Sequence, residues 1–162
     1  MFNASPLTLA TIADDVANIS LLLAKGADAN RKMLQVGFFP ATPLVIAAGY
    51  DDPALVRTLV NGGANIHAKD DDGMTALEWA VLAQHPNTIK AMLSLGARDD
   101  VNVKDNFGYT PLLYAATVDF GDAEILAALL NAGADPKIAD KEGKTPLAHA
   151  QAYPYLRAAL QK

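Results

Sequence analysis

Three histidines, a run of aspartates and two asparagine–serine pairs are the residues of this chain whose types could do chemistry. His67, His85 and His149 would be general bases or metal ligands, roles that need partners converging on one point. Asp70-Asp71-Asp72-Gly73 has the carboxylates of a calcium loop, but not the alternation of ligands or the distal glutamate such a loop needs. Asp119-Phe120-Gly121 spells a kinase tripeptide with no glycine-rich phosphate loop or catalytic loop to go with it. Asn3-Ala4-Ser5 and Asn18-Ile19-Ser20 are glycosylation acceptors only in a chain that enters a secretory pathway. The absence of cysteine excludes disulfides, thiolate metal sites and a cysteine nucleophile. No serine lies in a nucleophile elbow, and no glycine-rich cradle for phosphate follows a strand. The expectation is a chain with no catalytic residue, no metal and no cofactor.

The 162 residues suffice for one domain with its own core, and 51% of them are apolar. A net charge of −5 argues against a general nucleic-acid binder, which would carry a basic stripe. No apolar run approaches the length of a membrane span. The first residues lack a basic region followed by an apolar run, which predicts a cytoplasmic setting. Aspartates outnumber glutamates fifteen to three, and aspartate favours turns and caps over helix interiors, so the acidic residues are placed by many turns.

What must position any functional group is a repeat. Asp105-Asn106-Phe107-Gly108-Tyr109-Thr110-Pro111-Leu112 reads as a polar turn followed at once by a helix start, with Thr110 as cap and Pro111 at the first helical position. The start recurs as Ser5-Pro6-Leu7, Thr42-Pro43-Leu44, Thr75-Ala76-Leu77 and Thr145-Pro146-Leu147, at intervals of 37, 33, 35 and 35 residues. Five residues after each cap stands an alanine: Ala10, Ala47, Ala80, Ala115 and Ala150. A second phrase interleaves with it at Gly26-Ala27, Gly63-Ala64, Gly96-Ala97 and Gly133-Ala134. Before each of those glycines, apolar residues at minus seven, minus four and minus three form one stripe of an amphipathic helix, and the glycine is its left-handed stop. Each unit is therefore turn, short helix, tight turn, longer helix, glycine.

This pattern, D-x-x-G-x-T-P-L-x-x-A-A and then a helix ending in L-L-x-x-G-A-D-x-N, resembles the ankyrin repeat across almost the whole chain. The resemblance implies an all-α solenoid of about five helix-turn-helix repeats joined by short β-hairpin fingers. The units would run 1–33 as an N-terminal cap, 34–69, 70–104, 105–139, and 140–162 as a C-terminal cap. One departure is consistent: the family's histidine after T-P-L is replaced by Thr8, Val45, Glu78, Leu113 and Ala148, so the loop hydrogen bonds it makes are missing. Spacing by whole repeats also separates the three histidines too far to share one atom.

The resemblance implies binding of another protein in the concave groove of finger tips and first helices, the alternatives being an architectural or targeting segment of a larger protein or an unrecognised enzyme; a monomer is expected, with no nucleic acid or membrane as partner. Met74, Phe107 and Tyr109 fall at finger tips, where a solvated turn has no structural need of large apolar groups. Phe38 and Phe39 in the long first finger, and Tyr50, Leu82, Val118 and Phe120 at the ends of first helices, map to the same strip; Phe38, Phe39 and Phe120 could equally fold back to seal their own insertions. Asn106, Asp71 and Asp72 flank these tips and, with Asp51, Asp52 and Asp119, predict an acidic rim suited to a basic-rimmed partner. Trp79 and Tyr114 share a repeat position with Leu9 and Ile46 and are expected in the core.

Overall fold

Each first helix begins where a hydroxyl can bond its free N–H groups. Ser5, Thr42, Thr75, Thr110 and Thr145 all accept from the amide three residues on, at 3.1 to 3.4 Å. The computed structural model describes residues 4–35, 38–117 and 122–161. Short helices α1 (Pro6–Ile12), α3 (Pro43–Ala48), α5 (Ala76–Leu82), α7 (Pro111–Thr117) and α9 (Pro146–His149) follow the five caps. Longer helices α2 (Val16–Ala24), α4 (Pro53–Asn61), α6 (Pro86–Ser94), α8 (Ala123–Asn131) and α10 (Pro154–Leu160) return beside them. Asp15, Asp52 and Asp122 cap three of these second helices.

The two sets stack as two rows, with α1, α3, α5, α7 and α9 in contact in that order and α2, α4, α6, α8 and α10 beside them. The alanine five after each cap lets the rows approach: Ala47, Ala80 and Ala150 are fully buried. Ile19, Leu59, Met92, Leu126 and Leu129 fill the seam between rows. The stop glycines adopt the expected left-handed backbone, with φ of 85° at Gly26, 94° at Gly63, 121° at Gly96 and 101° at Gly133. After the stop glycine Gly96 the chain makes a 3-10 turn, Ala97–Asp100.

Loops are cross-linked from unit to unit by single side chains. Asn30 donates to the Gly63 carbonyl and accepts from the Asn65 amide, and Asn102 does the same to Gly133 and Asp135. At the intervening junction His67 Nδ1 meets the Asp100 carboxylate at 2.9 Å.

One expectation is corrected. The helical solenoid forms, but β-hairpin fingers do not join its units. Among the described residues, paired strands occur only in the long first junction, where β1 (Met33–Gln35) runs antiparallel to β2 (Phe38–Ala41). The second junction holds a lone bridge between Lys69 and Thr75, and the third and fourth are turns. The reason is length. Each of these turns is closed by a buried aspartate whose carboxylate binds the amides two and four residues on, and the helix cap follows immediately. No residues remain to extend a ladder.

Candidate functional site

The three turn aspartates, Asp70, Asp105 and Asp140, are 8%, 6% and 8% exposed, so their carboxylates need full sets of partners. One oxygen takes the two turn amides: Asp72 and Met74 at Asp70, Phe107 and Tyr109 at Asp105, Glu142 and Lys144 at Asp140. The other takes a ring donor nine residues on. Trp79 Nε1 donates to Asp70 at 2.7 Å, the Tyr114 hydroxyl donates to Asp105, and His149 Nε2 lies 2.6 Å from Asp140. Each finger is thereby tied to the helix that follows it. At Asp140 burial pushes the carboxyl up, but the bonds from Lys144, His149 and Glu142 outweigh it and hold the group below its ordinary value. The Tyr114 hydroxyl is pushed far up, first by burial and then by the Asp105 carboxylate.

Trp79 and Tyr114 are therefore not plain core residues. Both pack on the core from its edge, half-buried, with the polar atom turned to the finger. Leu9, at the equivalent position, is 56% exposed. Leu9, Ile46, Trp79, Tyr114 and His149 share one position in their first helices, and the last three bond the turn before their own helix.

Phe107 stands at the tip of the third turn and is 53% exposed, while its own amide is held by Asp105. Tyr109 is half-buried, its ring 5.0 Å from that of Tyr114 and 5.9 Å from that of His149. Burial, then the charges of Asp140 and Glu142, raise its hydroxyl pKa. Tyr50 is half-buried and donates to the Ile12 carbonyl at 2.9 Å. Leu82 is half-buried at the end of α5. Asn106 is exposed and spans the fingers, its amide nitrogen donating to the Asp71 carbonyl and its backbone N–H to that of Asp72.

Met74 is not a surface residue. It is 4% exposed, and both its backbone groups bond to Asp70 in closing the turn. The carboxylates expected at the rim also have local partners. Asp51 binds the Asn87 and Thr88 amides, Asp52 caps α4, and Asp71 pairs with Lys32 at 2.8 Å. Asp51 and Asp71 are exposed all the same, and Asp52 and Asp72 are half-buried. Val118, Asp119 and Phe120 lie outside the described residues, as do the side chains of Phe38 and Phe39.

Among the described residues no group of three or more histidines and carboxylates is placed to hold a metal ion. Among them, too, no helix is long and apolar enough to cross a membrane.

A family model described as ankyrin repeats in three copies matches residues 7–105, and one described as ankyrin repeats in many copies matches residues 92–150. The chain belongs to the ankyrin-repeat family. This ankyrin-repeat protein is 38% identical over 86 residues to the human SH3 and multiple ankyrin repeat domains protein 2, covering 52% of this chain and 4% of that protein. It is 31% identical over 97 residues to mouse Neurogenic locus notch homolog protein 1, covering 60% of this chain and 4% of that one. The chain thus matches only a small part of these much longer relatives. Ankyrin repeats serve, in general terms, as scaffolds for protein–protein interaction.

Two features of the ankyrin-repeat protein escaped sequence reasoning. The aspartate–ring tie was present as the common spacing of 70 to 79, 105 to 114 and 140 to 149, but the three rings differ in type and hide the register. The other is Glu78, 1% exposed on α5 at the position of the absent histidine. Its Oε2 accepts from the Thr75 amide and hydroxyl, at 2.6 and 3.1 Å, as half of a capping box. Its Oε1 has no hydrogen-bond partner. Burial raises the Glu78 carboxyl to about 7, against the pull of the Thr75 bonds. A glutamate three after a cap signals a capping box, and only the stack decides that it is also buried.

Proposed function

We propose that the protein binds a partner protein along the face made by its finger tips and the Leu9, Ile46, Trp79 and Tyr114 position of its first helices. The observation that carries this is Phe107, a large apolar ring more than half exposed on a turn whose amides are fixed by Asp105. A rigid aromatic offered to solvent loses little conformational freedom on binding, and aromatic anchors carry much of the energy of interfaces. Tyr109 beside it and Leu9, Ile46, Trp79 and Tyr114 on the first helices extend the apolar strip; Tyr50, Leu82 and Asn106 border it. Phe38, Phe39, Val118 and Phe120 belong to the same strip on the sequence register. Among the described residues the other exposed large apolar groups are Ile12 and Leu147 on first helices and Leu21 and Tyr155 on second helices.

The test is affinity capture from the source lysate by the wild type, Phe107→Ser/Tyr109→Ser, and Leu21→Ser/Tyr155→Ser, each checked for an intact helical signal. A protein held by the wild type and the last variant, and lost from the first, is the expected result. Loss only from the Leu21/Tyr155 variant would move the interface to the second helices and sink the proposal.

A further inference from the structure

The outer side of the first unit, formed by α1, α2 and the turn after α2, keeps the residues that each inner unit buries against its predecessor. Pro6 is exposed where Pro43, Ala76, Pro111 and Pro146 are buried, and Ala10 is half-buried where Ala47, Ala80, Ala115 and Ala150 are buried. Leu22 is half-buried where Leu59, Met92 and Leu129 are buried, and Ala27 where Ala64, Ala97 and Ala134 are buried. A cleft of about 160 Å³ opens there, lined mainly by Pro6, Leu7, Leu22 and Ala27, with Asp28 and Arg31 beside them. A side that meets only water carries polar residues instead.

The backbone of the same side is a receptor left open. Asn30 and Asn102 each reach into the following unit, donating to the Gly63 or Gly133 carbonyl and accepting from the Asn65 or Asp135 amide. The equivalent groups of the first unit are the Gly26 carbonyl and the Asp28 amide, and neither has a partner among the described residues. Their turn already has the receiving shape. Gly26 shares its positive φ with Gly63 and Gly133, and Asp28 Oδ1 takes the amide two residues on at 2.8 Å, as Asn65 and Asp135 do at 3.0 and 2.8 Å. We propose that this flank docks an asparagine-bearing helix pair of another ankyrin-type protein, whose apolar stripe closes the cleft and whose asparagine takes the Gly26 carbonyl and the Asp28 amide. A second copy of this chain does not fit. Its α10 carries Arg157, exposed, where Ile19, Val56, Ile89 and Leu126 are buried, and both of its asparagines of this kind are engaged inside its own stack. Asn18 does not bar the occupant. Thr88 stands at the same position of α6, fully buried, and donates to the Tyr50 carbonyl of the unit before it. The flank is separate from the Phe107 finger, so the proposal stands whatever the finger face binds.

The test supplies such a helix pair on a second molecule. In an exchanged chain, residues 70–104 are repeated in place of residues 140–162, so that a copy of the Asn102 turn forms the outer end of the stack. That chain carries both the flank and its occupant and should associate head to tail, a contact that does not close on itself. Its sedimentation weight is expected to rise with concentration while that of the wild type stays constant, and its Asp28 amide to gain the hydrogen-exchange protection that the wild type lacks. Asn102→Ala in the added copy removes two hydrogen bonds and should lower the association constant about tenfold; Pro6→Glu, at an exposed position of the cleft, should lower it as well. A constant weight with a full helical signal overturns the proposal, as does a rise that neither change reduces. If the exchanged chain loses its helical signal, residues 70–109 joined ahead of Ser5 in place of residues 1–4 set the same pair beside the flank, at the natural cap-to-cap distance of 35 residues. Protection of Asp28 that Asn102→Ala in the added copy abolishes supports the docking site; an Asp28 amide still open to exchange overturns it.

Discussion

Glu78 costs the stack least while it carries its proton. Its folded pKa, about 7, lies above the ordinary 4.5, so between those values the native state binds more protons than the unfolded chain. Stability from this group is therefore full below about pH 4.5, falls as pH rises to about 7, and stays low beyond. An interval of that size corresponds to about 3 kcal/mol, an upper figure for a group whose surroundings can relax. Glu78→Gln should flatten the dependence. Urea unfolding of both proteins from about pH 5 to about pH 8 should show the variant gaining up to ~3 kcal/mol over the wild type at the high end; parallel curves would mean that the carboxyl is ionised throughout. Little of this residue's role was legible in the chain. The capping box is a local pattern and can be read off Thr75 and Glu78, but burial is set by α3 and α7, which no local pattern reports. Met74 was misplaced for a similar reason, since its direction is fixed by the two bonds it makes to Asp70 across the turn.

At the scale of the element, most of the architecture could be read because caps and stops act locally. A threonine before proline and a glycine after an apolar stripe each answer a need of the helix itself. Gly133 shows how narrowly. Its φ is 101° and a Cβ there would meet nothing within 4 Å, so Gly133→Ala changes only the backbone strain. The expected cost is about 1 kcal/mol, measured as a drop in the urea midpoint with unchanged slope. A cost near zero would mean that the helix can stop without the left-handed residue. Fingers were read less well. The family resemblance implied strand pairs, whereas the aspartate turn completes its bonding through a side chain and leaves only β1 and β2 to pair. The rings that fasten each turn come from the next helix, which is why neither element reveals the tie alone.

Across the whole molecule the open flanks differ from the inner ones by single substitutions. Leu55, Ile125 and Leu156 are fully buried at the third position of their second helices, and Thr88 with them; at that position in α2 stands Asn18, exposed. Ile19, Val56, Ile89 and Leu126 are fully buried one position on, where α10 carries Arg157, exposed. Each flank of the described stack thus carries a polar group where the inner units carry a buried one. Asn18→Leu with Arg157→Leu should therefore associate end to end, seen in sedimentation velocity as a weight that rises with concentration while the wild type holds constant. Equal weights at all concentrations would show that other groups guard the ends.

Trp79, tied to Asp70 in the middle of the stack, is the chain's single tryptophan. The protein thus carries a built-in optical probe of one unit. Among the described residues the main contacts of each unit are with its neighbours, so the order in which they open is a one-dimensional question, and indole fluorescence answers it for the centre while circular dichroism averages over the length. Fraying from either end darkens the second signal first; a break beside Asp70 announces itself in the first.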